Sequence, residues 1–403
     1  MFSVFTDRLR VEIGTVKAAL ETHDRFRALV FSTPITPEEI GEDTPASGEP
    51  SGAAIATAEP NPRDPCEEEL DEIRAKAPSK SSWQVYDHCA AFTRLYAVYE
   101  QFIEELISDY LRILPELHEK YEDLPESITK QHRIGTGQIL LKLGKDGPFR
   151  HLNEKQIVAD LSQALVGGAN YKLLRDAFLI DPQNYRTEVL GKLFAYLGID
   201  NCWAWVERHP LVIEFMDHRR DRTETPATVL NSFVAYRNDA AHTRVTETVA
   251  TEEVKSIADC VMVICEALAQ LVMKHVIRRR EQLGQVTVAG QIIHRFSDCI
   301  VGARMRGGTV AVGDEMVIVQ KHSCYEVGVR SIQIGETPYD RLNVIDGQEI
   351  GLQLTVGVRQ GAWLLRIPAP ILGVPQEQQP ELLSPDEFPS TQPEEIEPES
   401  EPH

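Results

Sequence analysis

Long apolar runs are missing from the chain. No segment approaches the ~18–20 uninterrupted apolar residues that a membrane-crossing helix needs, so no membrane association is expected. The opening stretch MFSVFTDRLRVEIGTVKAAL carries charge from Asp7 onward and lacks the apolar centre of a secretion signal. Cysteine is scarce: seven residues, at positions 66, 89, 202, 260, 265, 299 and 324, without a CxxC pair or any Cys/His spacing of the zinc-finger kind. That excludes a disulfide framework and predicts buried, reduced thiols in a cytoplasmic protein. No GxxxxGK[ST] loop is present, and GGTVAVGD lies between strand-like runs with no helix after it, so neither phosphate-loop reading applies. His88, His118, His132 and His151 have neither an i,i+4 partner nor carboxylates placed as co-ligands, and read as surface or satisfied side chains. No cofactor and no metal are expected.

Positive charge is also scarce, with a formal net charge of −21 over 403 residues. Its location matters more than its size. Residues 35–80 hold twelve acids against four bases, and residues 374–403 hold nine acids and no base. These two segments supply −17 of the −21, and both are rich in Pro, Ser and Glu, the composition of disorder. The remainder is close to neutral, so an RNA substrate is not excluded.

What is present is periodic. Residues 1–30 read as one amphipathic helix carrying Phe5, Leu9, Val11, Ile13, Val16, Leu20 and Phe26. Residues 31–82 read as an acidic disordered linker in which Pro and Gly interrupt any helix or central strand. Residues 83–282 read as helical. A long first stripe runs through Val85, Cys89, Phe92, Tyr96, Tyr99, Phe102, Ile103, Leu106 and Tyr110 and is closed by Pro115. Shorter helices are expected around 137–143, 153–166, 170–179, 184–197 and 201–216, then 226–241 and a long helix over 251–280 with Thr251 as N-cap. Residues 283–368 switch to short β-branched runs between Gly and Asp turns, the pattern of a small β-barrel. Residues 369–403 form the acidic tail. The fold class is multidomain, α then β.

One stretch carries chemistry. In YRNDAAH, Arg237 and His242 stand five residues apart. On a regular helix that is a rotation of about 140°, so the two side chains converge only if the histidine sits at or beyond the helix end. A guanidinium is always charged and its planar fork can grip two phosphate oxygens. An imidazole can move a proton to or from a ribose 2′-OH or a leaving oxygen near neutral pH. Asn238 adds a neutral donor and acceptor beside them. The spacing alone fits a helix cap equally well.

The stretch resembles the signature of the HEPN superfamily (higher eukaryote and prokaryote nucleotide-binding): Arg, a polar residue that is often Asn, and His four to six residues after the Arg. The long early helix LYAVYEQFIEELISDYL, the middle stretch NYRTEVLGKLFAYLGI and the long helix after the motif are similar to HEPN families of bacterial defence and toxin systems. The resemblance covers residues 83–280. It implies an all-α bundle that forms a homodimer with two such motifs facing each other, and a metal-independent endoribonuclease acting on tRNA, rRNA or mRNA through Arg237, Asn238 and His242. A toxin or anti-phage role, with an antitoxin partner, follows from the same resemblance. Many members place Gly after the His, where this chain has Thr243. Two alternatives remain open: a non-catalytic nucleotide- or RNA-binding or protein-interaction scaffold, and a translation-associated adaptor.

The adaptor reading comes from residues 285–368. There GGTVAVGDEMVIV, VRSIQIG, DGQEIGLQL and RQGAWLL resemble the second-domain barrel of translational elongation factors. That resemblance implies contact with tRNA, the ribosome or a protein. Basic residues in the helical part concentrate in HRRDR and KHVIRRR. The first run offers Arg219, Arg220 and Arg222 as RNA contacts, whereas the second sits where a helix C-terminus favours bases.

Overall fold

A computed structural model describes residues 3–32 and 65–367 apart from 145–146, 148, 168–170, 181–183, 220–222, 243–244 and 246–247. The expected acidic tail and most of the linker lie outside the described residues. Among the described residues, ten α-helices precede nine β-strands in chain order.

Helix α1 (Ser3–Phe31) buries Leu9, Ile13, Val16 and Leu20 in the same core as the later helices, so the first thirty residues are part of the bundle rather than an appendage. Its sequence-predicted stripe is narrower than expected. Val11 is exposed, and Phe26 packs edgewise on Trp83 with ring centroids 5.8 Å apart. Ion pairs line its contacts with the later helices: Arg8–Glu105, Lys17–Asp259 and Lys255–Glu21.

The expected linker contains a helix. α2 (Pro65–Lys76) forms in the longest stretch of that segment free of internal Pro and Gly, and its Arg74 donates Nε to the Val30 carbonyl at 3.1 Å near the end of α1. α3 (Lys80–Leu117) starts where the Ser79 hydroxyl accepts from the Ser82 amide. It passes through Pro115 and ends only at His118. A proline in the last turn costs a single backbone bond, and the His118 amide still reaches Leu114 O at 2.9 Å.

The middle helices depart from sequence expectation in three places. α4 (Glu126–Lys142) is longer than expected, and α5 (Glu154–Leu165) matches. The helix expected at 170–179 is only a short 3-10 turn, Arg175–Ala177, because the Leu174 amide is taken by His132 Nε2 at 3.0 Å. α6 (Thr187–Tyr196) forms as expected, but the next stretch splits into α7 (Cys202–Arg208) and α8 (Pro210–His218). Pro210 holds His209 in extended backbone, φ −71° and ψ 131°, and that breaks the helix. His132 itself is 1% exposed, bonded by the Tyr121 hydroxyl and stacked on Phe178. Burial pushes its pKa down to about 4.

α4 meets the 3-10 turn at Gly135, where a Cβ would lie 2.0 Å from the Ala177 carbonyl oxygen. Gly135→Ala is expected to force these elements apart and lower stability by about 1–3 kcal/mol, read as a lower denaturation midpoint. Gly137→Ala, with open space around it, is the control and is expected to be neutral or slightly stabilising.

α9 (Pro226–His242) and α10 (Thr251–Gln282) complete the bundle. The N-cap of α10 is Ala250 rather than Thr251, which is the first helical residue, while Glu252 and Glu253 occupy the first turn as expected. By length and composition alone α10 is apolar enough to cross a membrane, but 72% of its most apolar window is buried in the bundle. It is the central core helix.

The C-terminal part is a six-stranded antiparallel barrel. β1 (Thr287–Arg295), β2 (Ile300–Met305), β4 (Glu315–Val319), β5 (Cys324–Ile334), β8 (Glu349–Leu354) and β9 (Trp363–Arg366) close in the order β4-β9-β1-β2-β8-β5 through the β4–β5 pairing. β6 (Thr337–Tyr339) pairs antiparallel with the end of β5, and β3 (Gly308–Ala311) pairs with β7 (Arg341–Val344). Strand alternation splits the side chains between two cores. Met316, Ile318 and Leu364 fill the barrel, while Val317, Cys324 and Leu365 face the helices. Polar ties complete the junction. The Cys324 amide and His209 Nε2 both donate to Gln270 Oε1 at 3.0 Å, and Lys274 Nζ donates to the carbonyls of Gln320 and Lys321 at 2.9 and 2.6 Å. Trp205 lies beneath the Lys274 ammonium and donates Nε1 to Ala267 O.

Candidate functional site

α9 is held by one apolar face. Val229, Leu230, Phe233 and Val234 are all at most 1% exposed. Phe233 sits among Phe92, Tyr96 and Tyr99 of α3, with ring centroids 5.8–6.1 Å away. That packing sets the rotation of α9 and brings Arg237, one turn past Phe233, over Tyr96. The Arg237 Cζ lies 4.3 Å from the centre of the Tyr96 ring, within the range where a cation is attracted to an aromatic face. Burial pushes the Tyr96 phenol up to about 12, although the Tyr185 amide and Arg237 pull the other way. The ring beneath the guanidinium therefore stays neutral.

The other support comes from the segment before α6. Asn184 adopts a left-handed backbone, φ 55°, a conformation Asn tolerates better than most residues. Its Oδ1 accepts from Arg237 Nη1 at 3.3 Å, and Asn238 Oδ1 accepts from the same nitrogen at 3.0 Å. The segment is clamped on both sides. Tyr99 donates its hydroxyl to Tyr185 O at 2.7 Å, and the Tyr185 amide donates to the Tyr96 hydroxyl at 3.2 Å. One residue pair further on, Asn231 of α9 accepts from the Thr187 amide and so caps α6. α3, α6 and α9 are thus locked together around one guanidinium.

Both of these bonds leave from Nη1. Among the described residues, Nε and Nη2 of Arg237 have no hydrogen-bond partner, and the side chain is only half-buried. Two carboxylates flank the site on α3. Glu100 titrates above its ordinary value, through burial first and then the neighbouring Glu104, with Arg237 and the Tyr96 hydroxyl opposing. Glu104 is engaged elsewhere, with Arg175 at 2.7 Å and the Tyr185 hydroxyl at 3.3 Å. An anchored, charged fork with free donors is suited to holding an oxyanion.

His242 is the last described residue of α9, and the chain is no longer helical at Val245. Its side chain and Thr243 lie outside the described residues, as do Arg220 and Arg222. Arg219 corrects an expectation. It is 8% exposed, and its guanidinium is spent on Glu224, Glu253 and Ser256 at 2.5–2.9 Å, so it ties the end of α8 to the start of α10 rather than meeting RNA. Two of the bases at the end of α10 are likewise used internally: Arg279 donates to Leu117 O, and Arg280 is 4% exposed beside Glu116. His88 is buried, accepts from the Val249 amide and packs against Phe92 and Tyr236.

Tyr96, Asn184 and Glu100 are the residues the spacing of the motif could not supply. Tyr96 reads in sequence as bundle core, which it also is. Asn184 opens the stretch NYRTEV, and nothing local marks its side chain as a partner of a residue 53 positions later.

A family model described as RiboL-PSP-HEPN matches residues 66–274, the span from α2 to the last quarter of α10. No curated protein matches the chain.

Proposed function

Because the chain belongs to the RiboL-PSP-HEPN family, we propose that it is a metal-independent endoribonuclease whose site is built on Arg237, Asn238 and His242. The observation that carries the reading is the arrangement at Arg237. Tyr96, Asn184 and Asn238 fix the guanidinium through one nitrogen and one ring face, which leaves its remaining donors to face a phosphate.

In the reaction the ribose 2′-OH attacks the adjacent phosphorus and the 5′-oxygen of the next nucleotide leaves. The 2′-OH proton goes to a base, the leaving oxygen takes a proton from an acid, and the product ends in a 2′,3′-cyclic phosphate. Arg237 neutralises the charge that builds on the non-bridging oxygens. His242, ending the same helix, moves the proton, and Asn238 holds Arg237 in register. The substrate carries its own nucleophile, so the chemistry needs no activated water. Two copies pairing so that both α9 ends face one cleft would give each phosphate a second histidine, one serving as base and one as acid. A cytoplasmic growth-arresting role in bacterial defence, restrained by an antitoxin, fits this activity.

The test is cleavage of a mixed tRNA, rRNA and mRNA pool in EDTA by wild type, Arg237→Ala and His242→Ala. The expected result is fragments with cyclic-phosphate ends from wild type and loss of at least a hundredfold in rate for each variant. Equal behaviour of the three proteins would sink the ribonuclease reading and favour a binding scaffold or an adaptor acting through the barrel.

A further inference from the structure

Among the exposed cations, Arg8, Arg94, Arg112 and Arg175 each have a carboxylate oxygen at 2.5–2.7 Å, whereas others, such as Lys130, Arg186 and Lys192, form no ion pair among the described residues. An open groove of about 810 Å³ runs along the junction of the helices and the barrel, with α7, α8 and α10 on one side and β4, β9 and the turn before β5 on the other. Arg208, Lys321 and Arg359 line it, all exposed, and none has a carboxylate partner among the described residues. They come from three separate elements. Their convergence is visible at His322, which lines the same groove. Its imidazole is held below its ordinary value by burial first and then by Lys321, Lys274 and Arg208. Two carboxylates, Glu214 and Asp217 of α8, also line the groove, so cations lead four to two with Lys274 included. Trp363 of β9 adds an aromatic face that is 39% exposed.

Unpaired cations placed together work against folding through mutual repulsion. Here the junction itself is held by other groups, namely Lys274 on two carbonyls, the Gln270 bonds, and Val317 and Leu365 in the core. Arg208, Lys321 and Arg359 make no side-chain hydrogen bond or ion pair across this junction among the described residues. Cations along a groove with an exposed aromatic ring are the elements that bind a single nucleic-acid strand, phosphates on the cations and a base stacked on the ring.

We propose that this groove is a second RNA-binding site, separate from Arg237, that takes a single-stranded segment with its phosphates on Arg208, Lys321 and Arg359 and a base on Trp363. The choice of RNA rests on the ribonuclease reading; the anionic, stackable character of the ligand rests on the groove. Lys274 lies nine residues beyond Cys265, the α10 residue that neighbours Tyr99, or roughly 14 Å along the helix axis. Only a strand of several nucleotides would reach from the groove toward Tyr96 and Arg237. The barrel would then select substrates by length.

The test measures fluorescence polarisation of a labelled single-stranded RNA of roughly 12 nucleotides, within the span such grooves cover, on the full chain carrying His242→Ala so that the strand stays intact. In that background the triple variant Arg208→Ala, Lys321→Ala, Arg359→Ala is expected to flatten the slope of log affinity against log salt by about 2, from three phosphate contacts at about 0.7 each. Trp363→Ala is expected to weaken binding about tenfold with little change in slope. All four residues are exposed, and unchanged melting temperatures check the fold. Unchanged affinity and slope in the triple variant would overturn the proposal. So would a groove that loses a peptide of residues 374–403 on triple substitution while holding RNA as before, since the occupant would then be an acidic protein segment. RNA held by the groove but never cut by wild type would sink the ribonuclease reading alone. Cutting that needs Arg237 and His242 but ignores the groove variants would sink the groove alone.

Discussion

Arg237→Lys is expected to lower the cleavage rate by about a hundredfold or more although the charge is kept. The guanidinium at this position serves two sets of partners. Nη1 donates to both Asn184 and Asn238, and Cζ lies over the Tyr96 ring, 4.3 Å from its centre. Nε and Nη2 remain for the phosphate. A lysine carries its donors on a single nitrogen at the end of a flexible stem. If that nitrogen satisfies the two asparagines it cannot reach outward, and if it reaches outward the asparagine oxygens lose their donor. A bidentate grip on two phosphate oxygens is lost in either case. Single-turnover cleavage under saturating protein reads the chemical step, and melting temperature separates it from folding. A lysine variant within fivefold of wild type would show that Arg237 acts only as a diffuse positive charge and that its clamp is irrelevant to catalysis.

Phe233→Ala is expected to cost about 3–5 kcal/mol, the largest stability loss of any substitution considered. Phe233 is fully buried, and its ring meets Phe92, Tyr96 and Tyr99 at the interface of α3 and α9. Its removal leaves a hole between the helix that carries Arg237 and the helix that carries Tyr96. For a helical unit of this size, a loss near 4 kcal/mol lowers the melting temperature by roughly 10 °C. Activity measured well below that transition is also expected to fall, because α9 can settle into the hole and tilt Arg237 off the Tyr96 ring. Phe233→Leu, which keeps most of the volume, is expected to recover the greater part of both losses. Calorimetry and cleavage assays on the pair check this. A Phe233→Ala protein that melts within 2–3 °C of wild type, below the shift of roughly 10 °C expected from, would mean that the aromatic cluster does not set the position of α9.

The RNDAAH stretch illustrates what could be read without coordinates. Periodicity marks the helix that carries it, and the loss of periodicity after His242 predicts a helix end near the histidine; α9 runs as far as His242, and Val245 is no longer helical. The change of period near residue 283 located the barrel, whose first strand starts at Thr287. Other features were hidden for definable reasons. α2 lies in an acidic, Pro-flanked segment whose composition resembles disorder, and its Arg74 finds a place at the end of α1 only in three dimensions. Arg219 reads as a free base because its nearest neighbours in sequence are basic, whereas Glu253, which holds it together with nearby Glu224, approaches through the fold.

By itself the sequence determined the order of the parts, the α-to-β division and the placing of Arg237, Asn238 and His242 on one helix. Those depend on local periodicity and on residue chemistry, both written along the chain. Only the tertiary structure decided which partners that arginine has. Tyr96 and Asn184 stand 141 and 53 positions before it, and no local rule links residues so far apart. The same holds for the groove at the junction. Arg208, Lys321 and Arg359 become neighbours only because Val317, Cys324 and Leu365 alternate out of the barrel and bury themselves against α10 and its neighbours. Packing of apolar side chains, which is blind to charge, brought the cations together; whether they stay unpaired is a matter of which acids the fold leaves within reach.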